Sequence, residues 1–193
     1  MYDYVKQEIN NCIYAPKNEQ AKFLELIENN KTSFHERENL NGHITASMLV
    51  FNDDYTKVLL ALHGKFNRWL QLGGHWDEIN ETSLQTAIRE MFEEGFGDKE
   101  VPFELLIQSP LDLDVHNAFT HEHYDLCYAC KVSDESLAQC SFESKEVKWV
   151  DINEVINNTD VYRPRIGRMI KNALELVCDL NTNSKISTTA KLK

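Results

Sequence analysis

Gly73-Gly74-His75-Trp76-Asp77-Glu78-Ile79-Asn80-Glu81, seven further residues, and then Arg89-Glu90-Met91-Phe92-Glu93-Glu94-Gly95-Phe96-Gly97 form the stretch that decides how this chain reads. Thr82-x-x-Gln85 has the pattern of a capping box, in which side chains satisfy the first free N–H groups of a helix. Leu84, Ala87, Ile88 and Met91 follow at i, i+3, i+4 and i+7, an apolar stripe that predicts a helix packed inward along that side. Gly95 and Gly97 are its stop signals. On this helix Glu90, Glu93 and Glu94 lie three and four residues apart, on or near the side opposite the stripe. Like charges at that spacing repel by roughly 0.2–0.5 kcal/mol per pair. They also crowd the carbonyl end, where partial negative charge disfavours anions. Exposed glutamates are common on helices, so the trio alone also fits a solvated face. A local rule broken without local compensation points instead to a functional site, here one that a divalent cation would repair. Arg89 is four residues before Glu93 and can pair with it.

The segments around this helix alternate in type. The first 40 residues read as helical, with Phe23, Leu24, Leu26 and Ile27 carrying the apolar face, and Asn41-Gly42 marks a turn. Residues 43–51 and 56–63 are β-rich runs joined through Asn52-Asp53-Asp54, a hairpin pattern. Trp69 to Leu72 reads as one short strand leading into Gly73-Gly74, and further strands are expected over 103–108, 111–116, 122–132 and 146–150. A last helix begins near Pro164 with Ile166, Met169, Ile170, Ala173, Leu174 and Val177 on one face. The expected division is a helical extension over 1–40, an α/β layered domain over 41–180 and a polar, disordered tail over 181–193.

Bulk properties narrow the function classes. A chain of 193 residues that is 42% hydrophobic and 26% charged fits one globular domain. A net charge of −11 argues against a partner that is a nucleic-acid polymer, because tracking phosphates needs a basic surface. A small anionic substrate is still admitted, since a bound metal supplies its own positive charge. No apolar run approaches the ~18 residues of a membrane span, and the N-terminus lacks the pattern of a signal peptide. With five cysteines, an odd count, a reducing cytoplasmic setting is expected. Cys127 and Cys130 are three apart in a strand-like run, so they face opposite sides and cannot chelate one ion.

The Gly-to-Gly segment closely resembles the Nudix box: Gly, five residues, Glu, seven residues, Arg-Glu-apolar-x-Glu-Glu-x-Gly-apolar. The spacing from Glu81 to Arg89 and the Arg-Glu-x-x-Glu-Glu core match. Two departures stand out. Gly74 lies seven residues before Glu81 rather than six, so that either the loop is one residue longer or His75 occupies the first glycine position, and Phe96 occupies the second between Gly95 and Gly97. His43, Trp69 to His75, Asp112-x-Asp114-x-His116, His123-Tyr124-Asp125 and residues 146–149 resemble a bacterial-type branch of small Nudix proteins.

The resemblance implies a Nudix fold, an α/β/α sandwich with a mixed sheet, and Mg²⁺-dependent hydrolysis of a nucleoside diphosphate linked to another group. It implies that Glu90, Glu93 and Glu94 ligate the metal with the Gly74 or His75 carbonyl, while Arg89 and Glu81 hold them in place. Glu94 is the first choice as general base, with Glu122 and the Asp112/Asp114 strand in reserve. His75, His123, Asp125 and Trp69 are expected on the substrate side, and Tyr124, Phe66 and Trp76 are further aromatic candidates. His75, His116, His121 and His123 would also admit Mn²⁺ through imidazole. Two alternatives use the same fold, a catalytically weak nucleotide sensor and an isopentenyl-diphosphate isomerase relative. The N-terminal helices are candidates for a homodimer contact or a lid.

Overall fold

The computed structural model describes residues 1–64, 67–76, 81–118, 121–141 and 144–190. Its helices are α1 (Tyr2–Asn11), α2 (Lys17–Asn29), α3 (Ser83–Gly95), α4 (Ile152–Asn157) and α5 (Pro164–Ala190). Its strands are β1 (His43–Asn52), β2 (Lys57–His63), β3 (Trp69–Leu70), β4 (Leu72–His75), β5 (Glu104–Leu105), β6 (Asp112–Ala118), β7 (His121–Val132) and β8 (Ser144–Asp151). α5 continues through Ala190 and so overlaps the stretch that the sequence sets apart as a polar tail. Among the described residues no helix is long and apolar enough to cross a membrane.

β1 is the centre of the sheet, and each of its ten residues is buried. It runs parallel to β7 and antiparallel to β2 and β4, while β7 also pairs with β5 and β6, and β2 with β3 and β8. Parallel pairing buries both faces of a strand, and the apolar run from Met48 to Phe51 suits that position. Ile44, Ala46, Met48 and Val50 point to one side, into a core with Val5, Ile9, Phe23, Ile27, Ala87 and Met91. Leu49 and Phe51 point to the other, against Ile166, Met169, Ile170 and Ala173 of α5. The result is an α/β/α sandwich around a mixed sheet. α1 and α2 share the first core with α3, and Tyr128 Oη links the layers, donating to Glu8 at 2.8 Å and meeting Ser83 Oγ at 2.7 Å. The first 40 residues are therefore built into the sandwich.

Several element boundaries differ from expectation. Trp69 to Leu72 is split at Gln71, so that β3 pairs with β2 and β4 with β1. The Gln71 side chain is buried there and donates to Asp125 Oδ2 at 3.1 Å. β5 is shorter than the expected 103–108 strand, because the chain bends ahead of Pro110 after Leu106 N–H reaches the Ala129 carbonyl. α4 is a short helix that the sequence reading lacks, capped by Asp151 through Asn153 N–H at 2.8 Å. Cys127 and Cys130 do face opposite cores, and burial pushes both thiols up, so both stay protonated.

Candidate active site

α3 begins as its sequence predicts. Thr82 Oγ1 accepts from Gln85 N–H at 3.2 Å, and Gln85 Oε1 accepts from Thr82 N–H at 2.8 Å. Its other end is closed by Gly97 at φ 59°, with the N–H groups of Phe96 and Asp98 both returning to the Phe92 carbonyl. The buried side of α3 differs from the expected stripe. It comprises Ser83, Thr86, Ala87, Glu90, Met91, Glu94 and Gly95, while Leu84 and Ile88 are only partly buried at its flank.

Two carboxylates thus turn inward because β4 offers backbone where other strands offer side chains. A Cβ on Gly74 would stand 2.5 Å from Glu90 Oε2, so glycine leaves the space in which that carboxylate lies. Glu94 Oε2 accepts from Gly73 N–H at 2.9 Å. Glu93, one step round the helix, has a side chain 43% exposed.

Arg89 holds the acidic groups together. Its Nη1 donates to Glu90 Oε1 at 2.8 Å and to Glu93 Oε2 at 3.0 Å. Its Nε reaches the Glu81 carboxylate at 3.2 Å, and Nη2 donates to the His75 carbonyl at 3.1 Å. Burial would lower the guanidinium pKa, but Glu90 and Glu81 more than offset this and raise it. Thr86 Oγ1 at 3.0 Å and the Trp76 indole at 3.2 Å fix Glu81 by its carboxylate and its carbonyl. The Arg89–Glu93 pair was expected from spacing; Thr86 and Trp76 were not, because threonine and tryptophan beside a box carry no signal of their own. Asp77 to Asn80, on which the loop register depends, lie outside the described residues.

The opposite face of the same strands is rich in imidazole. His43 on β1 is level with His123 on β7, and Thr45 is level with both Asp125 and His75. The His43 ring centroid lies 5.1 Å from His75 and 4.7 Å from both His121 and His123. Burial, together with the other four imidazoles, lowers the His123 pKa to about 2, so this ring is neutral. Behind the cluster, Arg165 donates to Asp114 and approaches Asp125 at 3.5 Å. Burial would raise Asp114, but the His116 hydrogen bond and the Arg165 charge hold it well below the usual carboxylate range.

A family model described as NUDIX domain matches residues 42–172. The chain belongs to the NUDIX family. A comparison with curated proteins gives no match. Among solved structures, a hydrolase of the NUDIX family from Clostridium perfringens is similar at 27% identity and a TM-score of 0.58, over 70% of this chain and 97% of that one. A C. elegans Ap4A hydrolase binary complex shares the fold at 18% identity and a TM-score of 0.60, over 70% and 98%. The NUDIX domain of Shewanella oneidensis NrtR, complexed with ADP ribose, shares it at 22% identity and a TM-score of 0.53, over 69% and 87%. The chain is accordingly an enzyme of the Nudix pyrophosphohydrolase type.

Most of the other candidate residues of this Nudix chain lie apart from the box. Asp112 and Asp114, expected as reserve bases, lie on β6, separated from β4 by β7 and β1, and are held by Arg168 and Arg165. Glu122 accepts from Tyr124 Oη at 3.2 Å. Asp125, expected to meet substrate, is 3% exposed and accepts from Thr45, Ser47 and Gln71. Tyr124 and Trp76 are core residues, Trp69 carries Lys148 Nζ 4.2 Å above its ring, and Phe66 lies outside the described residues. Oxygen donors from three glutamates and a backbone carbonyl suit Mg²⁺. Glu90 and Glu93 share one Arg89 nitrogen, so a cation placed between them takes over a position already organised around positive charge.

Proposed function

We propose that this chain hydrolyses a pyrophosphate bond in a nucleoside diphosphate linked to another group, by Mg²⁺-dependent attack of water on phosphorus. What supports this reading most is Arg89, which joins Glu81, Glu90, Glu93 and the His75 carbonyl, directly beside Gly74. Glu90, Glu93 and Glu94 hold the ion. The carbonyl of Gly74 or His75 would complete the set, the latter also accepting from Arg89. Mg²⁺ in such a site neutralises phosphoryl charge and acidifies bound water. Arg89 and Glu81 are positioning residues that set the side chains of Glu90 and Glu93. Glu94, fixed by Gly73 N–H, takes the proton of the attacking water. Asp112 and Asp114 do not compete for that role, being ion-paired and two intervening strands away.

Ap4A and ADP ribose, named for two of the structural neighbours, both offer a diphosphate to such a site. A panel of dinucleoside polyphosphates, nucleoside diphosphate sugars and nucleoside triphosphates, assayed with Mg²⁺, tests the proposal. Product release from at least one of them, reduced about 10²–10⁴-fold by Glu94→Gln, is expected. Tight nucleotide binding with no turnover anywhere would favour the sensor instead, and an allylic product from isopentenyl diphosphate would favour the isomerase.

A further inference from the structure

We propose that His43, His121 and His123 form a binding site for one divalent transition-metal ion of the Zn²⁺ class, separate from the carboxylate cradle. Strand geometry builds it. His121 and His123 are two apart on β7 and so share a face, and the parallel register sets His43 beside His123. A nitrogen from each ring lies within 4.8 Å of the other two, and among the described residues this is the sole such triad of His, Cys, Asp or Glu. A tetrahedral ion with bonds of ~2.0–2.1 Å holds its nitrogens ~3.3–3.4 Å apart, so modest rotation of the side chains closes the site.

The donor chemistry separates the two sites. Imidazole suits Zn²⁺, Cu²⁺, Ni²⁺ and Fe²⁺, whereas carboxylate oxygen suits Mg²⁺ and Mn²⁺. Three protein nitrogens also leave a fourth position open, the arrangement of zinc sites that take water or a ligand. The His75 ring lies 5.1 Å from the centroids of both His43 and His123, and that of His116 lies 5.6 Å from His123. His116 Nδ1 is 2.9 Å from Asp114 Oδ2, a carboxylate–imidazole pair of the sort that orients rings around metals. Asp114 and Asp125 lie behind the cluster, where Arg165 pairs with both and Arg168 approaches Asp114 at 3.7 Å. Charging all three rings to hold an anion would set like charges 4.7 Å apart in a buried setting, whereas a metal ion takes the rings in their neutral form.

The inference stands apart from the hydrolytic reading, and so does its test. The intact protein, stripped of metal, is titrated with Co²⁺ and followed by its visible d–d absorption, with Zn²⁺ as competitor. One equivalent should bind with a low-symmetry nitrogen-ligand spectrum and be displaced by Zn²⁺. Glu93→Gln/Glu94→Gln should keep it, and His121→Asn/His123→Asn should weaken it at least 100-fold. Long-range ¹H–¹⁵N spectra of the unmutated protein supply a readout that needs no variant. Stoichiometric Zn²⁺ should shift the imidazole nitrogens of His43, His121 and His123. Unshifted imidazoles, or a Co²⁺ spectrum lost in the glutamate variant and kept in the histidine variant, would overturn the proposal.

Discussion

Consecutive residues of β4 serve two surfaces of opposite chemistry. Gly74 lies against the Glu90 carboxylate on the α3 side, whereas His75 sets its ring beside His43 and His123 on the α5 side. The acidic surface is assembled by one arginine reaching across a helix and a strand, and one of its glutamates stays 43% exposed. The imidazole surface is assembled by register, from residues level with or two away from one another on neighbouring strands. Like charges brought together on a buried side of a helix are held by a cation, here Arg89, while a sheet can gather neutral rings with no such help. The first arrangement is therefore fragile to single substitutions at its hub, and the second to changes in strand pairing.

Removing the hub should give the largest effect. Arg89→Ala leaves Glu81, Glu90 and Glu93 without their shared partner, and turnover should fall about 10²–10³-fold, comparable to the loss of a preorganised electrostatic group. Steady-state kinetics at saturating Mg²⁺ would show it, and an unchanged kcat would mean that Arg89 does not organise the site.

The two glycines sharpen the contrast. A Cβ at Gly73 would stand 2.4 Å from Ser47 Cβ and 2.7 Å from its Cα, contacts that only backbone movement can relieve. Gly73→Ala should cost about 3 kcal/mol in urea unfolding. The three atoms nearest a Cβ at Gly74 all belong to the Glu90 carboxyl group, at 2.5–2.6 Å, and that side chain can swing away. Gly74→Ala should therefore leave most stability intact and lower kcat by roughly 10–100-fold through displaced Glu90. Equal stability losses in the two variants would contradict the division between the faces.

A smaller effect belongs to the α5 side. Burial raises the Asp112 carboxyl to about 6, although Arg168 pulls it down. Between pH ~4 and ~6 the native state then binds more protons there than the unfolded chain, so stability falls as pH rises. The contribution is full below pH ~4 and lost as pH passes ~6, at most about 3 kcal/mol in all. Urea midpoints across pH 4–7 should decline more steeply for the unmutated protein than for Asp112→Asn.

Much of this could be read from the residues. The capped start of α3, its glycine stop, the Arg89–Glu93 pair and the opposed Cys127 and Cys130 all follow from local periodicity, which one chain segment carries within itself. The apolar stripe misplaced the inward side of α3, because the space for Glu90 is left by Gly74 and the partner of Glu94 is the Gly73 N–H, both on another element. Hydrophobic pattern registers only side chains that are present, so a surface of bare backbone is invisible to it. The histidines show the same limit. His121 and His123 share a face by alternation, but only the parallel register adds His43, and pairing between residues 80 apart leaves no local trace. The short α4 was missed for want of length, its six residues being too few for a helical period to emerge.

The most direct test of the central claim is the Mg²⁺ dependence of pyrophosphate cleavage, measured on the intact chain alongside Glu93→Gln and Glu94→Gln. The account predicts turnover that vanishes when Mg²⁺ is chelated, returns on its readdition, and falls at least 100-fold in each variant while both remain folded. Full Mg²⁺-dependent turnover in both variants would contradict it.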